Sequence, residues 1–158
     1  MTPVVMYFFA DALAAQEQAA QAARPTSQAP AVLAACRTLA RSLHAALAGR
    51  SRETIAAVLP QAPAGGSFSA EASATAPQAL AAALDAFRRT GNFRDAVLAA
   101  ANLGGNSDVT AAVTGALAGA HYSASAIPAL WRNSLMKQQL IESFADRLLA
   151  HALVELGG

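Results

Sequence analysis

Between Asn102 and Tyr122 the chain reads N-L-G-G-N-S-D-V-T-A-A-V-T-G-A-L-A-G-A-H-Y, and here residue types and spacing bear most directly on chemistry. Gly104 and Gly105 permit a sharp backbone turn and leave room for a ligand to approach closely. Asn106, Ser107 and Asp108 follow at the start of a helical pattern, where unpaired backbone N–H groups meet short oxygen-bearing side chains. Such a corner suits a phosphate, or a cation held by carboxylate and carbonyl oxygens. The same residues also make an ordinary helix cap after an ordinary Gly-Gly turn. A lone Asp108 cannot hold a divalent ion, because hard cations need several oxygen ligands. Further along, Gly115 and Gly119 lie four apart among alanines, a smooth face on which a second helix can pack nearly backbone to backbone.

The other polar candidates carry less. His44 and His151 fall mid-helix and His121 follows the Gly/Ala run; no two histidines stand at a ligand spacing, which argues against zinc. Trp131 reads as a core anchor rather than a stacking platform. Arg88, Arg89 and Arg94 form a small basic cluster whose ordinary role is a solvated face. Cys36, the single cysteine, sits among Ala34, Ala35 and Leu39 as a core thiol with no evident base beside it.

The elements that must position these residues are all helical. One helix is expected from about Pro3 to Ala23, broken by Arg24-Pro25-Thr26-Ser27. A second runs from Pro30 to Ala48, with Leu33, Cys36, Leu39, Ala40, Leu43 and Leu47 on one face and Gly49 as its stop. Ser51 caps a short helix over 52–59 that Pro60 ends, and a loop follows over about 60–74. Thr75-Ala76-Pro77-Gln78 is a strong start signal for a helix to Arg89. Further helices are expected over about 92–102, 107–122, 127–135 and 136–156, eight in all and no strand.

Length and composition bound the rest. The 158 residues make one domain, or one lobe of a larger one; 54% are hydrophobic, 13% charged and only 6% aromatic. Mean hydropathy is +0.32, much of it from alanine, so density must come from close helix packing or from burial against another chain. A net charge of +1 offers no field for nucleic acid or a membrane surface. The apolar start lacks a basic n-region and is too short to span a bilayer. A cytoplasmic setting is the expectation.

The stretch from Asn102 to Tyr122 resembles the N-L-G-G-D-A-D-T-T-A-A-I-A-G-A-L-A-G-A-x-Y-G motif of ADP-ribosylglycohydrolases, and Ile127, Pro128 and Trp131 resemble its I-P-x-x-W segment. Asn92 to Leu98 looks like the helix before that loop. Upstream, Thr26, Gln28-Ala29-Pro30 and Ala35-Cys36-Arg37 are similar to the family's T-H-x-x-P…A-C-R segment. Met1 to Phe9 resembles the apolar helix after its N-G-S-x-M-R stretch.

The resemblance implies an all-α orthogonal multi-helix bundle, here the C-terminal half of one, and a hydrolase that removes ADP-ribose from modified acceptors with two Mg²⁺ ions. It further implies Asp108 and Asn106 as a degenerate metal-ligand pair and Gly104, Gly105 and Ser107 as substrate-binding. ADP-ribose or an ADP-ribosylated protein would be the partner. Asn106 stands where the family has its first aspartate, Val109 where it has a ligating threonine, Ser27 where it has histidine, and Ala34 where it has aspartate. The family's aromatic near the substrate is also missing at Ser73-Ala74-Thr75. With the N-terminal metal-binding stretch absent as well, the chain is expected to be a truncated form, inactive alone. It would be completed by a homo-oligomer or an N-terminal-half partner, or else serve as a non-catalytic helical interaction module.

Overall fold

The computed structural model describes residues 1–57 and 75–157, so the loop expected over 60–74 lies outside the described residues. Among these, nine α-helices and one 3-10 turn form the fold, with no strand. In chain order they are α1 (Thr2–Tyr7), α2 (Ala12–Ala23), α3 (Pro30–Leu47), α4 (Arg52–Ala56) and α5 (Ala76–Arg89), then α6 (Phe93–Ala101), α7 (Ser107–Tyr122), α8 (Ala129–Asn133) and α9 (Gln138–Gly157).

Two boundaries correct the sequence reading. The single helix expected from Pro3 to Ala23 is two. Asp11 adopts an extended conformation and its carboxylate accepts the backbone N–H groups of Leu13 and Ala14, both at 2.9 Å, which starts α2 afresh. Between the two helices His44 of α3 reaches across, its Nε2 3.0 Å from the carbonyl of Phe9, with its ring stacked on Phe9. At the other end α9 starts at Gln138 rather than Met136, because Lys137 takes a left-handed φ of 60° and turns the chain.

The other starts follow their local chemistry. Ser51 accepts the Thr54 N–H to open α4, and Thr75 N–H donates to the Gln78 side chain at α5. Asn92 Oδ1 accepts the Asp95 N–H at 2.9 Å while its Nδ2 donates back to the Asp95 carboxylate at 2.8 Å. These caps fix where α5 and α6 begin, and thereby the turn that delivers the chain to α7.

The core is built from α3, α5, α6 and α7, with α1, α2 and α4 closing around it. Phe87, Leu43, Ile55, Leu84 and Leu117 are its largest fully buried side chains, and alanines fill much of the remainder. Phe87 also meets His121 edge-on at 5.5 Å, which gives that histidine a packing role. Helix α7 lies centrally, against α3, α5 and α6. The approach of α6 is less close than a bare glycine face permits. A Cβ on Gly115 would stand 3.7 Å from Val97 Cγ2, which is ordinary contact, so the two helices touch through side chains. Helix α9 is the exception to this compactness: its principal contact is with α1.

Candidate active-site surface at the start of α7

The Asn102–Asp108 turn is held from both sides. Asn102 closes α6, its amide nitrogen donating to the Leu98 carbonyl at 2.9 Å. Gly104 (φ 77°) and Gly105 (φ 59°) are both left-handed, so two consecutive residues occupy a conformation that costs any side-chain-bearing residue. The turn then enters α7 at Ser107. The Asn106 carbonyl accepts both the backbone N–H of Thr110, at 3.0 Å, and its hydroxyl, at 3.1 Å.

Burial separates the side chains that can face a ligand from those that cannot. Thr110 is fully buried, its hydroxyl donating back to Asn106, so it does not reach the exposed corner in place of the missing hydroxyl. Asp108 and Val109 both face solvent, Val109 being 48% exposed, and Ser107 is half-buried. Gly104, Gly105, Asn106 and Asp108 therefore form one exposed corner at the positive end of a sixteen-residue helix. The corner has one carboxylate. Among the described residues no three His, Cys, Asp or Glu side chains converge on a point where a metal ion could sit. These donors do not fit a pair of Mg²⁺ ions by themselves, since each such ion needs about six oxygens in near-octahedral array.

The other candidates have structural work. Trp131 is half-buried, packed on the core and edge-on to Phe93 at 6.3 Å. Arg88 and Arg89 both pair with Asp85, at 2.9 and 2.8 Å, and Arg94 pairs with Asp95, so three guanidinium groups share two carboxylates and most of the cluster's charge is offset. Cys36 is half-buried rather than fully enclosed, and burial pushes its thiol pKa up, which keeps it protonated and unreactive. Ser27 accepts the Ala29 N–H at 3.3 Å, an ordinary turn contact.

One cluster escaped sequence reasoning. Arg52 of α4 donates to the Thr90 carbonyl and to the Tyr122 hydroxyl at 3.4 Å, and Tyr122 donates to the same carbonyl at 3.4 Å. It ties the end of α7 to the end of α5. Nothing in the spacing of these three residues announces it.

The ADP-ribosylglycohydrolase family profile matches residues 1–156. The chain belongs to that family. A solved chain described as an ADP-ribosylglycohydrolase-related protein complex superimposes with a TM-score of 0.82 at 33% identity, over 95% of this chain and 59% of that one. The ADP-ribosylarginine hydrolase of Serratia proteamaculans is 48% identical over 69 residues, 44% of this chain and 19% of its own. That of Pseudomonas putida is 35% identical over 130 residues, 74% of this chain and 35% of its own. The chain thus spans about a fifth to a third of these two relatives and three-fifths of the solved chain.

The loop and the start of α7 lie within the residues that the family profile matches. Asn106 and Val109 are the two positions there where the sequence departs from the carboxylate and hydroxyl that the resemblance implies.

Proposed function

We propose that this chain serves the hydrolytic removal of ADP-ribose from arginine side chains of modified proteins, contributing one wall of the site and not its full ligand set. The supporting observation is the exposed corner built by the two left-handed glycines and Asp108 at the head of α7. Its first-turn N–H groups suit the diphosphate of ADP-ribose, and Gly104-Gly105 let that group approach the backbone. Asp108, one helical residue on, is the carboxylate available to orient a water or share a cation.

In such a reaction water adds to the anomeric carbon of the ribose as the bond to the guanidine nitrogen breaks, and the departing guanidine takes up a proton. Mg²⁺, where bound, supplies positive charge that orients the ribose hydroxyls and water. Asp108 and the side-chain amide oxygen of Asn106 would be this chain's share of its ligands, with the rest coming from outside the described residues. The proposed consequence is a chain inactive by itself. A second reading, a non-catalytic helical interaction module, draws on the exposed apolar face of α9.

Calorimetry with Mg²⁺ and ADP-ribose, alongside an assay of ADP-ribose release from an ADP-ribosylarginine protein, tests both. Expected is ADP-ribose binding that Gly104→Val abolishes with the helical content intact, and no turnover by the chain alone. Turnover by the isolated chain would overturn the partial-site reading. A stable dimer with no ADP-ribose binding would favour the interaction module.

A further inference from the structure

Two threonine hydroxyls stand in series beneath the corner at the head of α7. Thr110 and Thr114 lie one turn apart and both are fully buried. The hydroxyl of Thr110 donates to the Asn106 carbonyl at 3.1 Å. That of Thr114 donates to the Thr110 carbonyl at 2.8 Å and to the carbonyl of Ala83, on α5, at 3.3 Å. Helix propagation itself favours alanine over threonine at both positions. A hydroxyl that reaches back one turn adds a second donor to a carbonyl and bends the helix there.

The Asn106 carbonyl accordingly accepts two donors from one residue, the Thr110 N–H at 3.0 Å and the Thr110 hydroxyl at 3.1 Å, one for each lone pair. Asn106 has φ −78° and ψ 46°, outside the helical well, so regular helix geometry does not set its orientation. The two donors of Thr110 do. A peptide unit is planar and trans, so its C=O and N–H point in opposite directions. With the Asn106 carbonyl drawn down onto Thr110, the Ser107 N–H points out of the head of α7, where the corner lies. Thr114 carries the restraint on to the backbone of α5.

We infer that Thr110 is a positioning residue for the corner, with Thr114 as its anchor. Its hydroxyl holds the peptide between Asn106 and Ser107 so that the Ser107 N–H is aimed at an anionic oxygen of the ADP-ribose diphosphate. Thr110 itself is buried and touches no ligand. Without the hydroxyl the peptide can rock, and a bound ligand must arrest that motion, which weakens binding. The inference rests on the proposed function in taking ADP-ribose as the molecule that the corner receives.

Calorimetry with ADP-ribose and amide NMR on the full 158-residue chain test it. Thr110→Val removes the hydroxyl at nearly constant shape and should weaken ADP-ribose binding about tenfold, the equivalent of one hydrogen bond. Thr110→Ser keeps the hydroxyl and should bind as the native chain does. In the ligand-free chain the Ser107 amide resonance should shift in Thr110→Val and return in Thr110→Ser. Ser42→Ala removes an equally buried hydroxyl, bonded to Ile55 on α4, and should leave both readouts unchanged. If Thr110→Val does not fold, Thr110→Cys, whose S–H is a weak donor, replaces it in the comparison with serine. Native affinity in the hydroxyl-free variant, no recovery with serine, or an equal loss in Ser42→Ala would each overturn the positioning role while leaving ADP-ribose as the ligand. A native chain that binds no ADP-ribose, yet whose Ser107 amide moves with valine and returns with serine, would uphold the hold on the turn and overturn the proposed function. With neither binding nor shift, both fall.

Discussion

Between Gly119 of α7 and Phe93 of α6 there is room for one methyl group: a Cβ placed on Gly119 stands 3.8 Å from Phe93 Cε2. The corresponding distance from Gly115 to Val97 Cγ2 is 3.7 Å. Both are comfortable van der Waals separations. Glycine in a helix interior is costly relative to alanine, mainly through the freedom it loses on folding. Gly115→Ala and Gly119→Ala are each expected to stabilise the protein by about 0.5–1 kcal/mol. Urea melts would show it as a higher midpoint at unchanged slope; a lower midpoint would mean that the interface has no such room.

The two glycines of the turn behave oppositely. Gly104, at φ 77°, has a backbone that an alanine adopts only with strain. Gly104→Ala should cost about 1–2 kcal/mol, and Gly104→Asn less, since asparagine tolerates the left-handed region better. Denaturant melts of both variants check the order. Equal losses would point to a steric cause rather than a backbone one.

Ser42 is fully buried on α3 and donates its hydroxyl to the carbonyl of Ile55 on α4 at 3.1 Å. Ser42→Ala removes the donor and should lower stability by about 1 kcal/mol. Thermal or urea unfolding would read it. Faster proteolysis around α4, with the rest of the chain protected, would localise the effect.

The α2–α3 contact gives a pH dependence. Arg37 donates to Glu17 at 2.9 and 3.2 Å, and hydrogen bonds from Arg37 and then Gln21 hold the Glu17 carboxyl below its ordinary value of 4.5. A depressed folded-state pKa means the unfolded chain takes up the proton first. The pair's contribution is therefore complete above pH 4.5 and disappears as pH falls through the lowered folded value. Because both side chains are solvated, the effect is small. Melts of the native chain and of Glu17→Gln should differ at pH 7 and draw together as pH falls below 4.5 and through the lowered value. A gap that persists in acid would assign the difference to packing.

Much of this fold was legible because local signals coincided with tertiary need. Thr75-Ala76-Pro77-Gln78 starts α5 where it should, and Asn92 with Asp95 starts α6, because caps are satisfied by atoms three residues away. The corner at Gly104 to Asp108 was legible for a different local reason: α7 has no side-chain cap, and two adjacent glycines mark the left-handed turn. What failed depended on longer reach or on a single competing residue. Asp11 interrupts an alanine-rich run that every propensity would continue, and only its carboxylate on two amides makes the break. Lys137 takes a left-handed turn that its residue type does not advertise. The burial of Thr110 against the exposure of Val109 follows from how α7 is rotated on α5 and α6, which no spacing within α7 encodes.

The seating of α9 on α1 joins helices from opposite ends of the chain. Closing so long a loop carries the largest entropy cost of any contact in the fold, and its reward is confined to one row of side chains. The core cluster draws on the other helices and contains no residue of α9. In hydrogen exchange, the amides of α9 should open as a separate unit at low free energy, while those of α3, α5 and α7 exchange only through global unfolding. During synthesis, then, the helices of the core can assemble while α9 is still unplaced. The order of folding leaves that helix available to whatever reaches it first.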